Sequence, residues 1–189
     1  VVGIPLMRHF SAKDTQATPG SLALATGPNG ELFVGNAEGV LRYDGLDWQL
    51  TELPGRSMAR SLATGGDGRV YVGGYDTFGR LARNSEGRYQ YEELLTRAGL
   101  RNAERHVGVV WDVLPTETGV YFHAEQALYF IPYGREDAKR WPLPPELRPS
   151  MDSAVADIAN MGESAGSMLV AGGFLSEFVG TRKGGDSPV

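Results

Sequence analysis

LATGPNGELFVG at residues 24–35 returns as LATGGDGRVYVG at residues 62–73, a displacement of 38 positions. Seven of the twelve positions are identical, and the exchanges keep physical type: Asn29 becomes Asp67 in the turn, Leu32 becomes Val70 and Phe33 becomes Tyr71. A shortened third copy, LPTETGVYFH, lies at residues 114–123, with two residues fewer in the turn. Short runs of alternating apolar and polar residues, repeated every ~40 to 50 positions, are the mark of propeller blades of about four strands each. The expected fold class is therefore mainly β: an incomplete β-propeller of about three four-stranded antiparallel blades, followed by a short α/β or helical tail.

Composition limits what such an arc can do. Gly 26 and Pro 11 in 189 residues suit many tight turns between short strands. A net charge of -5 without a basic stripe excludes nucleic acid as the expected partner, since phosphate binding needs clustered Lys and Arg. Cys 0 excludes disulfides, thiolate metal sites and a cysteine nucleophile, and leaves the compartment open. The opening VVGIPLMRHF has no initiator Met and no charged lead into a long apolar run, so it reads as a processed chain or an excised piece, with no membrane span expected.

Residues 1–20 read as a lead-in strand and loop. The blades are expected at residues 21–54, 59–94 and 107–141. Gly30, Gly39 and Gly45 suit turns of positive φ, and Asn29, Asn36 and Asp44 can bond their own backbone there. LLTRAGLRNAERH, residues 94–106, reads as a short helix and loop.

Several of these motifs resemble the two-component regulator propeller repeats of bacterial ligand-binding sensor regions. The carriers are IPLMRHFSAKD, GNAEGVLRYDGLDW, RSLATGGDGRVYVGGYDTFGRL and VWDVLPTETGVYF, within about residues 3–140. That resemblance implies a non-enzymatic sensor fragment, periplasmic in its parent, that binds an unknown small molecule and passes the signal to an output domain. Complete rings of this kind have about seven blades, and the sequence holds three.

After Arg140 the composition changes. PLPPELRPSMDSAVADIANMG followed by FLSEFVG resembles the leucyl aminopeptidases, the two-metal cytosolic exopeptidases, over residues 141–189. Met168, Leu169, Phe174, Leu175, Phe178 and Val179 fit one helical face there, weakened by Gly172 and Gly173. The resemblance implies zinc or manganese only in a full-length cytoplasmic parent, because the family's NTDAEGR-type ligand motif is absent from this chain. Asp152 and Asp157 alone are too few carboxylates for a two-metal site. Ser153, Ser164 and Ser167 have no G-x-S-x-G elbow around them. Two families thus meet near residues 139–145, and the chain reads as a chimera or an artefactual fusion; no cofactor and no catalytic residue is expected of it.

The candidate ligand-binding residues are Tyr75, Asp76, Phe78, Trp111, His123 and Glu125. YDTF at residues 75–78 lies in a connection between strands, where propellers build binding faces. Trp111, like Trp48, offers an aromatic platform but sits where a residue packed between blades is expected. His123, with Glu125 beside it, ends a strand where it can face the ring opening, although a lone strand-end His is more often structural. His9, His106 and His123 are too scattered for a metal triad. Three functions stay open: the ligand sensor, a catalytically incomplete aminopeptidase fragment fused to a propeller piece, and a structural or protein-binding propeller fragment. With two end faces expected bare, and Phe33, Tyr71, Val120 and Phe122 expected to line them, self-association through the open blades is the expected behaviour in isolation.

Overall fold

The computed structural model describes residues 9–100, 106–134, 137–145 and 148. Twelve strands form three antiparallel sheets of four, each in chain order. Blade one is β1 (Ser21–Thr26), β2 (Leu32–Asn36), β3 (Gly39–Tyr43) and β4 (Trp48–Thr51). Blade two is β5 (Ser61–Thr64), β6 (Val70–Gly73), β7 (Phe78–Arg83) and β8 (Tyr89–Glu93). Blade three is β9 (Val110–Pro115), β10 (Gly119–Ala124), β11 (Ala127–Pro132) and β12 (Lys139–Pro142). The first strands stand side by side on the inner edge, and polar side chains tie them: Thr64 Oγ1 donates to Thr26 O at 2.6 Å and Ser61 Oγ to Val110 O at 2.9 Å.

The alternation of the repeat decides which residue faces which neighbour. Val70 and Val72 point back to Phe33 and Val40 of blade one, with Leu53, Ala59 and Leu81 closing that seam. Tyr71, between them in sequence, points forward, and with Phe78 meets Val120, Phe122 and Tyr129 of blade three. Each of these large side chains is buried; removing one such residue from water contributes about 1.5–3 kcal/mol. Phe33, Tyr71, Val120 and Phe122 therefore fill seams between blades and do not lie on bare end faces, because the pleat sends them inward on both sides of blade two. At Gly73 a Cβ would run into Ser61 Oγ and the Val110 side chain, so the glycine that ends the second repeat makes room for the inner strand of the next blade.

The lead-in segment differs from its expected form. Among the described residues 9–20 there is no strand; Ala12–Thr15 make one helical turn, α1, entered through the Asp14 carboxylate, which accepts both the backbone N–H and the hydroxyl of Ser11 at 2.7 Å. Ala17 then packs with Val34 and Leu41, and Phe10 lies against Tyr43 at 4.9 Å and Trp48 at 5.2 Å. The lead-in thus covers part of the outer face of blade one, where Leu24 and Leu50, in the same rung as Val34 and Leu41, stay exposed, and Trp48 packs there instead of between blades. Thr18 holds this cap by its backbone N–H (3.0 Å) and its hydroxyl, both donated to Glu38, while Asn36 Nδ2 donates to Thr18 O at 2.8 Å. These bonds to the charged form hold the Glu38 carboxyl below its ordinary value.

The expected helix after blade two is a set of turns over the described residues 94–100. Gly99 takes φ +79, Leu100 N–H reaches back to Leu95 O and Gly99 N–H to Thr96 O, both at 3.1 Å. This is the pairing that normally terminates a helix, and Gly99 imposes it after a single turn. The tail at residues 149–189, with the face at Met168 to Val179, Asp152, Asp157 and the three serines, lies outside the described residues.

Candidate functional site

In every sheet the second strand ends at the level where the next inner strand begins, so the β2–β3 type connections and the links between blades share one end of the arc. In blades one and three that connection has two residues, 37–38 and 125–126; in blade two it has four, 74–77. Around this longer connection lies a cleft of about 570 Å³, with walls that include Ala37, the link residues 54–58, Tyr75, Asp76, Thr77, Glu93 and Leu95.

The backbone of the loop is pinned from both sides. Tyr75 N–H donates to Ser57 Oγ at 2.8 Å, and the Ser57 hydroxyl donates to Tyr75 O at 3.1 Å. Asp76 N–H donates to Gly108 O at 2.9 Å, Gly108 N–H returns to Asp76 Oδ1 at 2.8 Å, and His106 Nδ1 sits 3.3 Å from Asp76 Oδ2. Below, Thr77 Oγ1 and the Tyr91 hydroxyl are 2.8 Å apart, and burial pushes the Tyr91 phenol well up, so it stays protonated. Held in this way, Asp76 takes φ +50 and Arg56, across the cleft, φ +54. Non-glycine residues pay for left-handed angles, and such strain gathers at functional sites. The Tyr75 side chain is left 55 % exposed, with Met58 beside the same opening at 38 %.

Of the residues singled out in the sequence, Tyr75 and Asp76 line this cleft. Glu125 is near: it is half-buried over Gly108, so close that a Cβ at Gly108 would meet its carboxylate, and its N–H donates to Val109 O at 3.0 Å. Phe78 is fully buried, stacked on Phe122 at 4.5 Å and tilted to Tyr129 at 5.1 Å, because the strand alternation one residue after Thr77 turns it into the seam. Trp111 is half-buried on the inner edge with the Arg60 guanidinium 5.4 Å from its ring centre, a contact between blades two and three. His123 is buried instead of facing the ring opening, its Nδ1 3.9 Å from Asp112 Oδ2. Arg56, Ser57, Met58 and Glu93 carry no repeat signature; a link between blades has no period to read, and only the two extra residues in the 74–77 connection mark the place.

At the opposite end of the arc a second cluster forms between blades one and two. Glu31, 5 % exposed, accepts from Arg42 Nε at 3.2 Å and Arg83 Nη2 at 2.6 Å, and the Tyr89 hydroxyl lies 3.3 Å from its Oε1. Both guanidiniums also lie over the Tyr89 ring, at 5.4 and 4.5 Å. With every partner in place this reads as a structural clasp.

Among the described residues no three His, Cys, Asp or Glu side chains converge; His106 Nδ1 lies 3.3 Å from Asp76 Oδ2 and His123 Nδ1 3.9 Å from Asp112 Oδ2. Among the described residues no helix is long and apolar enough to cross a membrane.

The fold and its loops define a propeller-like arc with a loop-built cleft. Among solved structures it is similar to a streptogramin B lyase, with a TM-score of 0.50 and 16 % identity over 69 % of this chain and 43 % of that one, a likeness of fold alone. In sequence the chain is 39 % identical over 128 residues to the probable cytosol aminopeptidase of Streptomyces griseus, covering 59 % of this chain and 24 % of that protein. It is 64 % identical over 45 residues to the probable cytosol aminopeptidase of Streptomyces avermitilis, covering 24 % of this chain and 9 % of that protein. The chain thus spans a quarter or less of the length of these curated relatives. No family model matches it.

Proposed function

We propose that the chain joins a propeller arc to a catalytically incomplete segment of the cytosol aminopeptidase type, cytoplasmic in its parent, with the arc as a recognition or scaffolding piece. The observation that carries this reading is the 64 % identity over 45 residues, set against the missing ligand motif. The matched segment covers 9 % of that protein, and among the described residues no three His, Cys, Asp or Glu side chains converge. The purified chain, supplied with zinc or manganese, is expected to release no leucine from a leucyl amide above a buffer control. Metal-dependent release that a chelator abolishes would overturn the reading.

A second reading, that the arc binds a small ligand as a non-enzymatic sensor piece, is favoured by the cleft at Tyr75 and Asp76. Its support is the coincidence there of an exposed aromatic side chain, a lengthened connection and two strained residues.

A further inference from the structure

Position 29 of the first repeat turn corresponds to position 67 of the second, and the two side chains are held differently. The turns themselves are built alike: Gly30 N–H donates to Gly27 O at 3.1 Å and Gly68 N–H to Gly65 O at 3.0 Å, with these glycines at φ +79 and +74. In the second turn the side chain is committed, Asp67 accepting from Arg69 N–H at 3.1 Å, Arg69 Nη1 at 2.8 Å and the Tyr71 hydroxyl at 2.8 Å. In the first, Glu31 and Phe33 stand in the places of Arg69 and Tyr71, and among the described residues no hydrogen bond holds the exposed Asn29 amide. Asn29–Gly30 is also the one Asn-Gly pair in the sequence. Glycine presents its backbone nitrogen with no Cβ in the way, and a Cβ placed on Gly30 would meet nothing within 4 Å, so the turn is open around it. The other described asparagines are secured. Asn36, 2 % exposed, donates from Nδ2 to Thr18 O at 2.8 Å and Gly20 O at 2.9 Å, while Asn84 Oδ1 accepts from Glu86 N–H at 3.0 Å and Arg88 N–H at 2.9 Å.

We propose that Asn29 is a site of self-modification, where the side-chain amide is lost to attack by the Gly30 backbone nitrogen. Hydroxide takes the proton of the Gly30 N–H, the nitrogen bonds to Asn29 Cγ, the Cγ–Nδ2 bond breaks, and Nδ2 leaves as ammonia, which closes a cyclic imide. Water then opens the ring. Cleavage of the bond to Cγ gives aspartate, and cleavage of the bond to the backbone carbonyl carbon gives a β-linked aspartate, which places an extra carbon in the main chain between β1 and β2. No oxidant or cofactor takes part. Neighbouring groups on one chain meet at an effective concentration that separate molecules do not reach. The bond that must be released, from Gly30 N–H to Gly27 O, belongs to an exposed turn, where local opening costs little. An aspartate here has a precedent in Asp67, and the conversion adds one negative charge to a chain of net charge -5.

The test is incubation of the folded full chain at neutral and at mildly alkaline pH, followed by anion-exchange chromatography and peptide mapping by mass spectrometry. The peptide holding Asn29 is expected to show the mass of an exchange of NH2 for OH, in two products of equal mass, one of which stops stepwise N-terminal degradation at its β-linkage. Conversion is expected to run faster at the alkaline pH, with Asn36 and Asn84 intact over the same time. Asn29→Ser, at an exposed position, is expected to abolish the acidic form and keep the far-ultraviolet spectrum and the melt. If Asn29 keeps its amide in the folded chain but loses it in guanidinium, the turn protects the site and the inference is wrong. If Asn36 or Asn84 converts as fast as Asn29, or the acidic form persists in Asn29→Ser, the assignment to this turn is overturned.

Discussion

The seam between blades one and two and the seam between blades two and three are cut from one repeat and held by different chemistry. In the first, Phe33 and the small aliphatic residues Val40, Val70 and Val72 leave room at one end for a buried carboxylate between two guanidiniums under Tyr89. In the second, Tyr71, Phe78, Phe122 and Tyr129 form a continuous aromatic layer, the repeat position of Glu31 holds Arg69, and the carboxylate is Asp67, two residues earlier, which accepts from the Tyr71 hydroxyl at 2.8 Å. The difference teaches that the repeat specifies where blades touch, and that the residues between its glycines choose whether directional polar contacts or packing does the holding.

The largest expected effect is in the aromatic seam. Phe122→Ala removes a fully buried ring stacked on Phe78 and is expected to cost about 3–5 kcal/mol in denaturant unfolding. A loss under about 1 kcal/mol would mean that the layer collapses to fill the gap, and that the two seams are equally forgiving. Next, Glu31→Gln leaves two guanidiniums facing a neutral amide. The expected loss is about 2 kcal/mol, below the usual cost of breaking a buried pair because Arg83 is 42 % exposed and rehydrates. An unchanged melt in that variant would mean the clasp contributes no net stability. The smallest effect separates burial from charge at Tyr89. Its phenol is raised from 10.0 first by burial and then by the Glu31 charge. A phenol raised in the folded state contributes stability that is complete below the unfolded value near 10.0 and is lost as pH rises through the folded value. Following phenolate absorbance, Glu31→Gln is expected to bring this titration down only part of the way, since the burial remains. A return of the full distance would make the charge the dominant cause.

How much of this was legible beforehand varies with how local the cause is. The sheets follow from alternation and turn chemistry, both readable over a few residues, and Asn36 and Asp44 bond their own turns as expected, Asn36 Oδ1 accepting from Glu38 N–H at 3.0 Å and Asp44 Oδ1 from Leu46 N–H at 3.0 Å. Tyr75 and Asp76 were singled out because they lie in a connection between strands, and the structure places both on the cleft wall. Phe78 and His123 were misplaced for one reason: whether a strand-end residue looks outward or into a seam depends on the neighbouring blade, and sequence gives the alternation without the neighbour. Glu31 was silent, since its partners Arg42 and Arg83 come from 11 and 52 residues away. α1 was missed because a four-residue helix has no period, only the Ser11 and Asp14 pair at its entrance.

The covering of blade one by Phe10 and Ala17 has a consequence for assembly. An unclosed arc with two sticky ends is a head-to-tail monomer, and head-to-tail contacts that fail to close grow into open filaments. With the chain's own lead-in seated on part of one end, beside Leu24 and Leu50, which stay exposed, the acceptor for that mode of growth is narrowed to a strip of aliphatic side chains.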